Sequence, residues 1–327
     1  METRLYANPL DIKQIGDPYI LKASDGKYYC YPTSGSRGEG FHAWSSDDLV
    51  NWTPEGFVYE RAANKLAWGY RQFWAPEVIE RNGKFYMYYT ARWEEKDSLR
   101  IGVAIADRPA GPFIDVYDKP MFDFGYAAID AHILTDDDGR SYLYYSRDCS
   151  EHIVDGRHES HIYGFELTDD LLQPKQEGIP LLKPDQEWEF KSGEEWRWNE
   201  GPFVLKRDGL YYLMYSANCF AHRDYSVGYA TSTEPLGPFA KYANNPVLFT
   251  DNADISGPGH HSVIRSPDDS ELFIVYHTHT DPAKGGGDRQ VCIDRMTFRE
   301  DGSIAVSGPT LTPQPYPSAS GRGPMQG

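Results

Sequence analysis

One short pattern recurs down the chain and limits what it can fold into: a tight-turn dipeptide followed by a run of aromatic residues. Asn82-Gly83 precedes Lys84-Phe85-Tyr86-Met87-Tyr88-Tyr89, Asp138-Gly139 precedes Arg140-Ser141-Tyr142-Leu143-Tyr144-Tyr145, and Asp208-Gly209 precedes Leu210-Tyr211-Tyr212-Leu213-Met214-Tyr215. Asp25-Gly26 before Lys27-Tyr28-Tyr29-Cys30-Tyr31 is a further copy, and Asp269-Ser270 before Leu272-Phe273-Ile274-Val275-Tyr276 is a weaker one. Asn-Gly and Asp-Gly tolerate the positive φ of a hairpin turn. An apolar strand leads into each turn, and a third strand with a further turn follows it, as in Val103-Ala104-Ile105-Ala106 before Gly111-Pro112-Phe113. Five units of about 60 residues, each a meander of about four antiparallel strands, predict an all-β, single-domain, five-bladed β-propeller. It is expected to occupy residues 1–311, with 312–327 a mobile tail rich in Pro, Gly and Ser. A β-sandwich with accidental similarity is the competing explanation, and the repetition of turn and flanking strands together argues against it. No segment carries a long 3.6-residue apolar period, so helices should be few.

Composition narrows the partners. The 327 residues carry 49 acidic and 32 basic side chains, a formal charge of −17, which argues against nucleic acid because phosphate binding needs clustered Lys and Arg. No apolar run approaches the roughly 18 to 20 residues of a membrane helix, so no membrane partner is expected. The sequence Met1-Glu2-Thr3-Arg4-Leu5-Tyr6 has no apolar stretch behind its charges, which gives the expectation of a cytoplasmic protein. Cys30, Cys149, Cys219 and Cys292 are widely separated, and buried free thiols are expected rather than a zinc site. The 24 Tyr, 15 Phe and 8 Trp suit both strands and flat ligand-binding faces.

The innermost strand of a propeller blade begins near the central channel, so a fixed offset before each turn should mark equivalent places. Counting nine residues back from positions 26, 83, 139, 209 and 270 gives Asp17, Trp74, Asp130, Glu200 and His261; a fifth hairpin one residue longer puts His260 in register instead. Strands built only for packing would hold Val, Ile or Leu there. Three acids converging on one channel repel one another unless solvated, metal-bound or partly protonated, a cost met at functional sites. Two carboxylates suffice to hydrolyse a glycosidic bond, one protonating the leaving oxygen and one activating water or attacking directly; a third would raise the pKa of the acid.

Five motifs, Gly16-Asp17-Pro18-Tyr19-Ile20, Phe73-Trp74-Ala75-Pro76-Glu77-Val78, Ile129-Asp130-Ala131-His132, Asn199-Glu200-Gly201-Pro202 and Gly259-His260-His261-Ser262, occur one per blade. With them the chain resembles glycoside hydrolase family 43, inverting five-bladed propellers, over roughly residues 8–312. The resemblance implies that Asp17 is the general base, Glu200 the general acid and Asp130 the carboxylate that tunes and orients the acid, with base and acid about 6.5 to 9.5 Å apart to admit water. It implies that Arg289 contacts the sugar, that Trp74 lines the pocket, and that His260, with His261 as the alternative, helps hold a hydrated calcium or other structural cation in the channel, with water supplying most of its ligands. No cofactor is implied for the chemistry. The implied substrates are oligosaccharides derived from plant cell walls, chiefly α-L-arabinofuranosides and β-D-xylosides.

A single propeller without an appended β-sandwich favours an α-L-arabinofuranosidase acting on arabino- or arabinoxylo-oligosaccharides. A β-xylosidase or an endo-arabinanase is the alternative within the family. Outside it stand a related fructosidase, a phosphorylase and a non-catalytic sugar-binding propeller. Phe41 and His42 are expected to close the cavity over the substrate. Glu77 is read as a structural partner of an Arg. Trp188, Trp196 and Trp198 lie in the long segment leading into the fourth blade, where they would form either a wall for distal sugars or packing.

Overall fold

The computed structural model describes residues 4–34 and 39–319. Each repeat forms one four-stranded antiparallel meander. Blade one holds Lys13–Lys22, Tyr28–Thr33, Gly40–Ser46 and Thr53–Glu60. Blade two holds Gly69–Arg81, Lys84–Trp93, Ser98–Ala106 and Ile114–Asp115. Blade three holds Ala128–Thr135, Ser141–Arg147, Arg157–Glu166 and Ile179–Leu182. Blade four holds Trp196–Arg207, Leu210–Ala217, Ser226–Ser232 and Ala240–Lys241. Blade five holds Gly259–Arg265, Leu272–His279, Arg289–Phe298 and Ile304–Val306. The chain is a five-bladed propeller, as the repeat predicts.

The aromatic repeat is the material between the blades. Its final tyrosine in each copy, Tyr31, Tyr89, Tyr145, Tyr215 and Tyr276, is fully buried. A buried ring contributes a large apolar area, and its hydroxyl needs a partner. Tyr31 donates to the Pro109 carbonyl at 2.8 Å, Tyr89 to Asp115 at 2.6 Å, Tyr215 to Glu189 at 2.7 Å and Tyr276 to Asp294 at 2.6 Å, while Tyr145 pairs with Tyr126 at 2.7 Å. The clusters they join bridge adjacent blades; Tyr31 and Phe41 of blade one, for example, pack with Phe73 and Tyr89 of blade two.

Every innermost strand breaks register at the same height. The ladder skips between Gly16 and Tyr19, Trp74 and Glu77, Ile129 and His132, Glu200 and Phe203, and Gly259 and Ser262. At each break one residue takes positive φ: Asp17, Ala75, Asp130, Gly201 and His260. These are bulges, which tolerate Pro inside a sheet, and Pro18, Pro76 and Pro202 follow three of them directly. The bulged residue loses its ladder partner, so its N–H must find another. It finds one on the preceding blade. The Ala75 N–H donates to Thr33 Oγ1 at 2.7 Å, the Asp130 N–H to Thr90 Oγ1 at 3.0 Å, the His260 N–H to Ser216 Oγ at 2.9 Å and the Asp17 N–H to His277 Nδ1 at 3.2 Å. Each acceptor is the ladder partner of the residue just before a bulge on its own blade. In the joint between blades three and four the acceptor is a carboxylate: the Gly201 N–H donates to Asp130 Oδ2 at 3.2 Å. Ser146, which holds the equivalent ladder place, has a buried hydroxyl without a partner among the described residues.

The bulges correct the fixed nine-residue count. The hairpins of blades two and four are two-residue loops, Asn82-Gly83 and Asp208-Gly209, with positive φ at both positions. Blades one and three use longer loops, from Lys22 to Tyr28 and from Thr135 to Ser141. The count therefore lands one residue early in blades two and four, on Trp74 and Glu200. In blade five the positive-φ turn residue is Asp269 rather than Ser270, so the equivalent axial position is His260 and not His261. Two carboxylates, not three, occupy the bulge itself; Glu200 comes from the residue before it.

The ring closes through the N-terminal segment. Leu10 and Ile12 exchange backbone hydrogen bonds with Val291 of blade five, and the Asn8 side chain bonds both backbone groups of Ile293. The expected boundary at 311 is corrected here. Gln314–Pro315 pairs with Leu5–Tyr6, Arg295 donates to the Pro315 and Tyr316 carbonyls, and the Ser318 N–H bonds Glu271. Backbone groups that sheet pairing can satisfy hold residues 312–319 to the propeller, whatever their Pro and Ser content; positions 320–327 lie outside the described residues.

The joints give a paired test. Ser216→Ala strands the buried His260 N–H and is expected to lower unfolding free energy by about 1–2 kcal/mol. Ser146→Ala, at the matching place in the one joint that does not use it, should change stability by less than about 0.5 kcal/mol. Urea unfolding of both variants checks the contrast.

Candidate active site

The bulges turn Asp17, Asp130 and His260 toward the axis, where they line a small cavity together with Glu77, Gly201 and His261. Asp17 is the most heavily contacted of these groups. Its Oδ1 lies 2.7 Å from Arg289 Nη1, 3.3 Å from His260 Nδ1 and 3.5 Å from His277 Nδ1, and its Oδ2 accepts from Thr33 Oγ1 at 2.6 Å. Burial by itself would raise this carboxyl. The Arg289 guanidinium, followed by the two imidazoles and the Thr33 hydroxyl, outweighs burial and holds Asp17 well below the usual carboxylate range. Because the Asp17 N–H donates to His277 Nδ1, that nitrogen carries no proton and the ring is neutral; burial, then Arg289, pushes its pKa down.

Arg289 reaches Asp17 only because position 16 has no side chain. A Cβ on Gly16 would lie 2.0 Å from the Arg289 guanidinium carbon. The guanidinium is covered by the Phe220 ring, 4.9 Å from its centroid. Phe220 is 41% exposed, so this contact sits at the open edge of the site.

Glu200 has the opposite environment. It is buried, and the Tyr225 hydroxyl donates to its Oε1 at 2.8 Å. Burial is the largest influence on it; Tyr225 opposes that, Asp148 and Asp17 add to it, and the carboxyl is pushed up to about 8. Asp130 is also pushed up, first by burial, then by the charges of Glu200 and Asp17, against the Gly201 N–H that favours its ionised form. Asp130 and Glu200 titrate as a pair, and at neutral pH the pair retains a proton while Asp17 does not. Gly201 is required between them, since a Cβ there would come within 3.2 Å of the His260 ring at a positive φ.

Glu77 also faces the cavity, but its partner is a histidine and not the expected Arg. Its Oε2 lies 2.8 Å from His132 Nδ1, and His132 Nε2 lies 3.2 Å from the Val204 carbonyl. A carbonyl only accepts, so Nε2 carries a proton and the Glu77–His132 contact shares another. Burial raises Glu77, with His132 opposing it. The expected channel cation finds a poor direct ligand set. His260 occupies the axial bulge, but its near oxygen, Asp17 Oδ1, is engaged by Arg289. No group of three or more His, Cys, Asp or Glu among the described residues is arranged to hold a metal. Calcium takes about 6 to 8 oxygen ligands, so a cation at His260 would be held mainly through water, as the resemblance implies.

The remaining expected sugar contacts divide. Trp74 stands one residue before the blade-two bulge, in register with Glu200, half-buried against Leu99, Ala127 and Ile129. Phe41 does not close the cavity: it is fully buried against Tyr59, Phe73 and Tyr89, because its strand turns that face into the cluster between blades one and two. His42, on the opposite face, packs against Phe57 with ring centroids 4.0 Å apart. Trp188 is packing, buried against Tyr215 with its Nε1–H donated to Gln186. The sequence reading missed Thr33, Tyr225, His277, Phe220 and Asp148. Thr33 and His277 lie on second strands, and Asp148, Phe220 and Tyr225 lie between second and third strands, all outside the motifs at the bulges. One signal was available: the ladder place opposite the pre-bulge residue is polar in every copy, as Thr33, Thr90, Ser146, Ser216 and His277.

Comparison with known proteins agrees with this fold. A crystal structure described as a thermostable family-43 glycoside hydrolase superposes with a TM-score of 0.92 at 50% identity, covering 96% of this chain and all of that one. The β-D-galactofuranosidase xynD of Aspergillus niger is 31% identical over 93% of this chain and 85% of its own length. An arabinoxylan arabinofuranohydrolase of Paenibacillus polymyxa is 28% identical over 93% of this chain, which spans half the length of that relative. The family description "Glycosyl hydrolases family 43" matches residues 6–304. With a match of that extent, carried on a propeller whose axis gathers Asp17, Asp130 and Glu200, the chain belongs to glycosyl hydrolase family 43 and is a glycosidase.

Proposed function

We propose that the protein removes α-L-arabinofuranosyl units from arabino- or arabinoxylo-oligosaccharides with inversion at the anomeric carbon. The observation that carries the chemistry is the divergence of two carboxyls near enough for the charge of one to act on the other: Asp17 is held ionised by Arg289, and Glu200 is held protonated by burial. Such a split is how a fold assigns base and acid at one pH. In this reading Asp17 takes a proton from the attacking water while Glu200 gives one to the departing glycosidic oxygen. Asp130, fixed by the Gly201 N–H, keeps a negative charge or a shared proton beside Glu200 and so holds the acid loaded. Arg289 keeps Asp17 charged and is placed to bond a sugar hydroxyl at the open edge.

The choice of a furanoside rests on the relatives. One is described by its action on arabinoxylan as an arabinofuranohydrolase and another as a β-D-galactofuranosidase. The two sugars share the configuration of the five-membered ring and differ by a hydroxymethyl group, so the galactofuranoside is the second reading. A panel of nitrophenyl glycosides decides: α-L-arabinofuranoside should be cleaved fastest, and preference for β-D-xyloside or β-D-galactofuranoside would replace the assignment. Proton NMR of the first-formed sugar should show the inverted anomer.

The split also fixes the pH profile. A general acid raised to about 8 is loaded below that pH and empties above it, so kcat/KM should fall on the alkaline side near pH 8. The Asp17 limb lies far to the acid side. Asp130→Asn removes a repelling charge and should move the alkaline limb to lower pH; an unmoved limb would refute its tuning role. Glu200→Gln should cost about 10²–10⁴-fold on natural oligosaccharides and far less on a dinitrophenyl glycoside, whose leaving group needs no proton.

A further inference from the structure

The start of the blade-four inner strand carries a feature that the axial site does not use. Residues 196–198 pair with 158–160 of blade three in parallel, His158 opposite Trp196 and Ser160 opposite Trp198; the other pairings among the described strands are antiparallel. The His158 and Trp196 rings are stacked, 3.9 Å apart at 8°. Cross-strand neighbours are displaced along the hydrogen-bonding direction, so a ring stacked on its neighbour stands with its plane along the strand. Trp198 is the next residue on the same face, its ring 6.1 Å from Trp196 and 17° from parallel. The two indoles therefore stand side by side as one flat wall, backed by His158 and, behind Trp198, by the small Ser160. Trp196 is 37% exposed.

Side chains alternate along a strand, and here the alternation leads to the acid. Arg197 lies over the Phe190 ring at 4.0 Å, and Asn199 bonds Glu189 at 3.1 Å, both on the face away from the wall. Trp196, Trp198 and Glu200 share the other face. The wall is also braced. His158 Nδ1–H donates to the Cys149 carbonyl at 2.8 Å, the Cys149 N–H donates to Ser160 Oγ at 3.0 Å, and the His158 N–H donates to the Glu195 carbonyl at 2.9 Å. Rings fixed in this way lose little freedom on binding.

We propose that Trp198 and Trp196 bind the leaving-group side of the substrate: two successive pyranose units of a β-1,4-xylosyl backbone, Trp198 nearer the scissile bond. The inference rests on Glu200 as general acid, as proposed above. The acid gives its proton to the oxygen that departs with the leaving group, so the chain continuing from that oxygen runs over the next side chains on the Glu200 face. Xylosyl units lack an exocyclic hydroxymethyl group and present flat C–H faces, which suit a planar indole surface.

The test separates the wall from the reaction. For arabinofuranosyl-xylotriose against nitrophenyl α-L-arabinofuranoside, Trp198→Ala should lower the ratio of the two kcat/KM values by about tenfold, with Trp198→Phe retaining most of it. An unchanged ratio overturns the proposal. Independently, unbranched xylotriose titrated into Glu200→Gln protein should bind, with a shift in tryptophan fluorescence, and Trp196→Ala and Trp198→Ala should each weaken it. Failure of xylotriose to bind, equal binding by the variants, or preference for an α-1,5-arabinotriose overturns the ligand class. If the wild-type enzyme cleaves no arabinofuranoside, the proposed function falls while the titration still decides the wall.

Discussion

The fold and the site depend on one recurring problem, the backbone N–H left unpaired at the bulge of each innermost strand. A buried N–H without a partner costs about 1–3 kcal/mol. Four blades solve the problem with a hydroxyl or imidazole from the blade before: Thr33, Thr90, Ser216 and His277. The same bonds that join blade to blade set the bulges at one height around the axis. A bulge re-aims its side chain, so placing five at one level points Asp17, Asp130 and His260 at a common cavity. The catalytic geometry proposed here is thus a by-product of closing the ring.

The electrostatics are built from the same contacts. Thr33 Oγ1 accepts the Ala75 N–H and donates to Asp17 Oδ2, so one hydroxyl holds a joint and favours an ionised carboxylate. His277 accepts the Asp17 N–H and is thereby fixed as a neutral ring beside that carboxylate, leaving Arg289 as the positive charge that decides its state. Glu200, one residue before its bulge, has the Tyr225 hydroxyl and a smaller influence of Arg289 to favour its charged form. Burial therefore prevails there, and does not at Asp17.

The fold was legible because repetition averages out local ambiguity: turn dipeptides and aromatic strands recur five times, and each final tyrosine has the same buried role. The loop lengths were not legible by counting. A two-residue hairpin and a longer one both read as Asx-Gly, which is why Trp74 and Glu200 entered the site by an offset that is one residue out. A proline inside each of three inner strands was a further sign of a bulge, because Pro removes a ladder donor and is confined to edges, strand starts and bulges. Phe41 was misplaced because an aromatic beside a histidine looks the same in sequence whether its face turns to the cavity or to the next blade. Arg289 came only by resemblance; the pairing of Gly16 with its guanidinium is a contact across 273 positions that no local pattern encodes. The tail was misjudged on composition, which does not reveal that a two-residue pairing with Leu5–Tyr6 is available to it.

The joint between blades three and four departs from the rule, and the departure lies where the chemistry needs it. Ser146 could have accepted the Gly201 N–H as Ser216 accepts that of His260, yet the bond goes to Asp130 Oδ2 and the serine hydroxyl has no partner among the described residues. The exchange ties a carboxylate to the backbone next to Glu200. An N–H bond favours the ionised form of Asp130, whereas burial and the charges of Glu200 and Asp17 oppose it, so the pair retains a proton at neutral pH. A serine at that acceptor position would close the ring equally well and would leave Asp130 free to turn away. The bond that joins these two blades is thereby made by the carboxylate that neighbours Glu200 rather than by a hydroxyl.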